Sequence, residues 1–168
     1  SPPPPSRAKV ERYQAYRDEV DGLVGRINGE FGTPSWVPVH YIYRGLPAEE
    51  VVALYRVADA MVVTPLRDGM NLVAKEFVAA REDGAGALVL SEFAGAADEL
   101  EDAFLVNPHD VDGLKETLLK ALDAEPADLE RRMAAMRKHL TKHDILAYAR
   151  AYLTALDHTG RLAAGLRR

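Results

Sequence analysis

Residues 60–81 change hydrophobic rhythm twice, and this switch narrows the folds open to the chain more than any other feature. The run Ala60-Met61-Val62-Val63 is short and continuously apolar, the pattern of a strand buried on both faces. Thr64 to Met70 then brings Pro65, Asp68 and Gly69, all turn formers. From about Asn71 to Arg81 the pattern is helical. A strand, a tight turn and a helix in that order aim the first free N–H groups of the helix, and its dipole, at one spot beyond the strand end. Such a spot suits a diphosphate. Glu76 lies five residues into the helix region, on the face that points back toward the helix start, where a carboxylate can accept hydrogen bonds from sugar hydroxyls.

The rest of the chain repeats the alternation. Ser6 is a good N-cap for a long helix whose apolar face runs through Val10, Tyr13, Val20, Leu23, Val24 and Ile27, with Gly29 and Gly32 ending it. Val37–Tyr43 alternates and carries β-branched and aromatic residues, so it reads as a strand. Pro47–Ala58 reads as a helix with Val51, Val52, Leu54 and Tyr55 inward. Ala87–Leu90 is a second buried strand, Ala94–Leu100 a short helix and Phe104–Val106 a last short strand. Beyond Asp110, which can cap a helix to about Ala124, Pro126 opens a helix to about His143 and a third runs from about Ile145. Strands separated by helices imply parallel pairing and an α/β layered fold of one domain, 1–168. In such sheets ligands bind beyond the C-terminal strand ends, where the 63–71 turn lies.

Composition excludes several classes. With 168 residues and 48% apolar content the chain can bury a core. A net charge of −5 argues against nucleic acid as the main partner. There is no cysteine, hence no disulfide framework or thiolate chemistry. No apolar run reaches the roughly 18 residues of a membrane span, and no leader is visible, so a cytoplasmic location is expected. The opening Ser1-Pro2-Pro3-Pro4-Pro5-Ser6 reads as a proline-rich loop without an initiator Met, and the chain is expected to be part of a longer one.

The segment Thr64-Pro65-Leu66-Arg67-Asp68-Gly69-Met70-Asn71-Leu72-Val73-Ala74-Lys75-Glu76 resembles the donor-binding signature of the trehalose-6-phosphate synthase family. Gly25-Arg26-Ile27-Asn28-Gly29 upstream, Leu88-Val89-Leu90-Ser91-Glu92-Phe93-Ala94-Gly95-Ala96-Ala97 and Val106-Asn107-Pro108 downstream agree in order and spacing over about Ser6 to Leu156. The resemblance implies a Rossmann-like parallel sheet with flanking helices, the C-terminal half of a retaining GT-B glycosyltransferase, followed by C-terminal helices. It implies that the N-terminal acceptor domain is absent from this chain. The implied reaction is glucosyl transfer from UDP-glucose or GDP-glucose to glucose 6-phosphate, giving trehalose 6-phosphate, without a metal or other cofactor. By resemblance, the backbone at Gly69, Met70, Asn71 and Leu72 would contact the glucosyl and diphosphate groups. Asp68 would contact a donor sugar hydroxyl as the catalytic-site acid, Glu76 would hold the ribose hydroxyls, and Leu46 would flank the base. Arg7 matches an arginine that reaches the acceptor phosphate. A homo-oligomer is compatible with this reading, and neither nucleic acid nor membrane is an expected partner.

Simpler readings of the same residues stay open on sequence alone. Asp68-Gly69 can be only a turn, Asn71 only a helix cap and Glu76 only a solvated helix residue. His139 and His143 stand at i, i+4, but no third ligand is evident, and a solvated helix face fits them better than a metal site. Ser91-Glu92 lacks the Gly-x-Ser-x-Gly elbow of a nucleophile and reads as a strand-to-helix turn. Two other functions also remain: a related transferase or pseudo-glycosyltransferase with another acceptor or a cyclitol donor, and a non-catalytic nucleotide-sugar-binding module.

Overall fold

The apolar run at 87–91 organises the larger part of the molecule. The structure, a computed structural model, describes residues 11–143, 149–150 and 153–154. It divides into two compact units, Ser1–Ala48 and Glu49–Arg168, where the sequence suggests one domain. The Ser6 cap, Arg7, the proline-rich loop and most of the helix expected from Ile145 lie outside the described residues.

In the first unit, helix α1 spans Glu11–Phe31. It continues through Gly29, which a helix interior tolerates at modest cost. It ends at Gly32, whose N–H donates to the Asn28 carbonyl at 2.9 Å and where a Cβ would collide with that same oxygen. The expected strand at Val37–Tyr43 does not form. Strand structure requires a neighbouring edge to take the backbone N–H and C=O groups. Here one side chain takes both groups of Val39: Asn28 Nδ2 donates to its carbonyl at 2.9 Å, and its N–H donates to Asn28 Oδ1 at 2.9 Å. Alternating side chains therefore mark a segment that could be half-buried, without supplying the partner that makes it a strand.

The second unit is built on three parallel strands, β1 (Ala60–Val63), β2 (Ala87–Ser91) and β3 (Phe104–Val106), in the order β1-β2-β3. Met61 pairs with Leu88 and Val63 with Leu90, while Val89 pairs with Phe104 and Ser91 with Val106. Every residue of β2 is buried. Its side chains alternate between two apolar layers, as the pleat demands. Leu88 and Leu90 face Phe77, Val78, Met133 and Met136, from helices α3 (Leu72–Ala80) and α5 (Pro126–Lys142). Ala87 and Val89 join Phe104, Val106 and Ala121 on the other side, under α4 (Val111–Leu122). Full burial of a residue such as Phe77 or Leu88 stabilises by about 1.5–3 kcal/mol. β1 returns to β2 through α3, and β2 to β3 through a segment holding one 3-10 turn, because parallel strands cannot be joined by a tight turn. Asp110 caps α4 by accepting the Gly113 N–H at 3.0 Å, and Pro126 opens α5, both as the sequence suggests. The expected helix at Ala94–Leu100 is shorter, a 3-10 turn over Gly95–Asp98. Among the described residues no helix is long and apolar enough to cross a membrane.

Helix α2 (Ala48–Val57) closes against this unit through a buried cation. A helix end leaves carbonyls without partners. Arg81, buried at the end of α3, supplies them: its Nη1 donates to the Tyr55, Arg56 and Ala58 carbonyls at 3.2, 3.1 and 2.6 Å. Its Nε donates to Asp83 Oδ1 at 3.0 Å. Gly86, at φ +83, leaves room for this guanidinium, because a Cβ there would sit 3.2 Å from Arg81 Cζ. Replacing Arg81 with Met keeps much of the volume and removes every one of these donors. Urea denaturation of Arg81→Met should show a loss of about 2–4 kcal/mol. A change within about 0.5 kcal/mol, the range of an ordinary surface substitution, would show that water serves these carbonyls equally well.

Candidate functional site

Because the strands are parallel, Val63, Ser91 and Val106 end on one edge of the sheet, and the segments that follow them gather there. The first two segments are bonded to each other through the backbone. The Asp68 N–H donates to the Phe93 carbonyl at 3.1 Å, the Gly95 N–H to the Asp68 carbonyl at 2.9 Å, and the Ala96 N–H to the Met70 carbonyl at 2.6 Å. Gly95 is required for this closeness. A Cβ there would overlap the Gly69 carbonyl oxygen and lie 3.3 Å from the Met70 nitrogen. At the next segment, the rings of Phe93 and His109 lie 5.9 Å apart.

Asp68 and Asn71 fix the turn from within. One Asp68 carboxylate oxygen accepts the Met70 N–H at 3.0 Å, and the other accepts from Asn71 Nδ2 at 3.1 Å. The Asn71 side-chain oxygen accepts the Ala74 N–H at 2.9 Å and so caps α3. Asn71 holds φ at 76°, a left-handed conformation that asparagine adopts more readily than other non-glycine residues. The cap leaves the Leu72 and Val73 N–H groups without an acceptor among the described residues, at the positive end of the helix dipole. Gly69 is exposed, and a Cβ on it would meet nothing within 4 Å. The helix-cap and turn roles of Asp68, Gly69 and Asn71 are therefore present, and they create a row of donors at the strand edge.

The two polar residues in the middle of α3 point to different partners. Lys75 Nζ bonds Glu99 Oε1 at 2.6 Å, and Glu99 also lies 3.8 Å from His139 Nε2. Glu76 is exposed, and its Oε2 accepts a hydrogen bond from the Tyr55 hydroxyl at 3.1 Å. The sequence places Tyr55 only on an inward helix face. Its hydroxyl partner is 21 residues further on, beyond the reach of local patterns. Met70 and Leu72 are exposed beside the turn, Arg67 is exposed within it, and Leu46, in the first unit, is half-buried. His139 and His143 stack with ring centroids 4.1 Å apart, and the His143 ring nitrogen lies 3.1 Å from the His139 carbonyl. Among the described residues no group of three His, Cys, Asp or Glu side chains converges to hold a metal ion.

The Met70 N–H, and then the Asn71 amide, hold the Asp68 carboxyl below its ordinary value of 3.8. A group lowered on folding adds stability that is complete above the ordinary value and is lost as pH falls through the lowered one. Carboxyl-detected NMR should therefore place the Asp68 midpoint below 3.8. Asp68→Ala should free the Met70 amide for faster hydrogen exchange. A midpoint at or above the ordinary value would mean that these bonds do not persist in solution.

The geometry has its counterpart in known proteins. The profile of glycosyltransferase family 20 matches residues 2–158. A trehalose-6-phosphate synthase of Mycolicibacterium smegmatis is 52% identical over 156 residues, 93% of this chain and 31% of that protein. One from Mycobacterium leprae is 51% identical over 152 residues, 90% of this chain and 30% of that protein. Among solved structures, the UDP-forming α,α-trehalose-phosphate synthase of Burkholderia xenovorans in complex with glucose-6-phosphate superposes with a TM-score of 0.87. It is 43% identical and is matched over 92% of this chain and 34% of its own. An E. coli structure bound with UDP-2-fluoro glucose gives 0.86 at 42% identity, over 91% and 34%. The chain thus spans about a third of the length of the curated relatives it matches. Its Rossmann-like sheet corresponds to the C-terminal half of their GT-B fold. With the parallel sheet, the capped turn at its mouth and a profile match over nearly its whole length, the chain belongs to glycosyltransferase family 20.

Proposed function

We propose that this chain supplies the donor-recognition part of a retaining glucosyltransferase. The enzyme would move glucose from a nucleotide-glucose, UDP-glucose or GDP-glucose, to glucose 6-phosphate and release trehalose 6-phosphate. The observation that carries the reading is the 64–76 segment itself. Its strand-end turn is braced by Asp68 and Asn71, and it leaves the Leu72 and Val73 N–H groups at the start of α3 without an acceptor among the described residues.

The leaving group of this reaction is a nucleoside diphosphate, so negative charge builds on its β-phosphate as the glycosidic bond breaks. Fixed N–H groups at a helix N-terminus stabilise that charge where it develops, with no reorganisation at the moment of reaction. The backbone of Gly69, Met70, Asn71 and Leu72 would lie along the glucosyl and diphosphate groups. Open space at the Gly69 Cβ position suits a sugar packed on the backbone. Each Asp68 oxygen accepts one internal bond and keeps a second lone pair for a donor sugar hydroxyl. Glu76 would accept from the ribose hydroxyls, and Leu46 would flank the base. Arg7 would reach the acceptor phosphate. The acceptor oxygen would attack on the leaving-group face, which gives retention without an enzyme nucleophile. The charge is met by N–H groups, and no metal is invoked in this reading.

The test is product formation by the intact protein with glucose 6-phosphate and each nucleotide-glucose in turn, alongside calorimetry of donor binding. Trehalose 6-phosphate is the expected product, and the 168-residue chain alone should bind donor without turnover. Transfer only to another acceptor would indicate a related transferase, and binding without any transfer a non-catalytic module. Turnover by the chain alone would refute the division of labour. In the same assay Glu76→Ala should weaken donor binding by about 1–3 kcal/mol through lost charge-assisted hydrogen bonds. An unchanged affinity would remove Glu76 from the site.

A further inference from the structure

Glu76 is an exposed side chain with three rotatable torsions, yet the ligand role proposed for it requires a fixed carboxylate. The Tyr55 hydroxyl meets that requirement. It donates to Glu76 Oε2 at 3.1 Å, and Glu76 Oε1 takes no partner among the described residues. Tyr55 is itself held at three points. The residue as a whole is 8% exposed, within the core that includes Val63 and Phe77. It meets the Phe77 ring edge-on, with centroids 6.2 Å apart and planes at 86°. Its carbonyl accepts from buried Arg81 Nη1 at 3.2 Å. A tyrosine has only two side-chain torsions, and both are settled by this packing, so the hydroxyl is a fixed point in the second unit.

We propose that Tyr55 is a positioning residue: its hydroxyl pins one oxygen of Glu76 and so presents the other, with the remaining lone pair of the first, to a vicinal diol. The occupant this selects is a ribonucleoside diphosphate sugar in preference to its 2′-deoxy counterpart. The inference rests on the reading of Glu76 as the ribose ligand and goes beyond it by assigning the preference to a second, buried residue. Two acceptor sites on one carboxylate match two neighbouring hydroxyls, provided the carboxylate plane does not rotate. Burial, and then the bond to Glu76, hold the Tyr55 phenol above its ordinary titration range, so it stays a donor throughout the neutral region. A part-buried hydroxyl gains from a partner, but an exposed carboxylate needs none. The bond therefore constrains the glutamate more than it rescues the tyrosine.

The test is calorimetric affinity of the intact protein for UDP-glucose and for its 2′-deoxyuridine analogue. It uses wild type, Tyr55→Phe, Glu76→Ala and the double variant, with melting temperatures recorded. Tyr55→Phe keeps the ring on Phe77 and removes only the hydroxyl. The expected result is a fall of about five- to tenfold in the ribo-over-deoxy preference, no loss of deoxy-donor affinity, and no further fall when Tyr55→Phe is added to Glu76→Ala. Equal weakening toward both donors, or an unchanged preference, would overturn the positioning role while leaving Glu76 in place. If Glu76→Ala itself leaves the preference intact, the ribose reading fails first and this inference with it. Should Tyr55→Phe not fold, 3,5-difluorotyrosine at position 55 keeps ring and hydroxyl but ionises at lower pH. The preference should then decline as pH rises through that titration, and a preference independent of pH would overturn the proposal.

Discussion

A strand that buries all of its residues demands a layer on each face, and β2 is such a strand. The rest of the second unit follows from meeting that demand. Leu88 and Leu90 require α3 and α5, and Ala87 and Val89 require α4. Parallel neighbours on both sides require that each connection climb back over a face rather than turn at an edge. Three strand ends consequently open on the same side, the side on which open parallel sheets bind their ligands. The small residues along this layer, Ala74, Ala94, Ala96 and Ala97, are buried for the same reason: they let helix and turn come close to a sheet of bulky side chains.

At that edge the backbone does more than the side chains. Asp68 is tied through its N–H, its carbonyl and both carboxylate oxygens, and Asn71 through both ends of its amide. Each Asp68 carboxylate oxygen makes one such bond and keeps a second lone pair. At the start of α3 the Leu72 and Val73 N–H groups keep no acceptor among the described residues, and one turn further along Glu76 is exposed and bonded to the Tyr55 hydroxyl. The arrangement accounts for Asp68 and Asn71 by the bonds they make, whereas at Gly69 a Cβ would meet nothing within 4 Å, so packing within the chain does not call for glycine there.

The three strands could be read from sequence to within a residue because each is a short apolar run between turn formers, and the helix caps at Asn71 and Asp110 because their residue types have few other uses. The failure at Val37–Tyr43 has a different origin. Alternation reports which side chains can be buried, whereas a strand exists only when another backbone accepts it, and here Asn28 intervenes. The same limit applies to the site. Turn, cap and acid were visible as types in the 64–76 segment. The bonds joining that turn to Phe93 and Gly95, and the Tyr55–Glu76 pair, link positions more than twenty residues apart that no local period connects. Arg81 looked like the last residue of a helix. Only the folded chain reveals it as the donor to three carbonyls of another.

The internal bracing of the 68–71 turn has a kinetic consequence. A loop that must search for its bound shape imposes that search on every encounter, and it slows both arrival and departure. Here the search is completed once, during folding, because the bonds that define the shape are made by the loop to itself and to its neighbour. On the proposed reading a donor would meet a finished mould. Its association would be governed by diffusion, orientation and the removal of water from a few N–H groups, and it would leave without unfastening bonds that hold the turn.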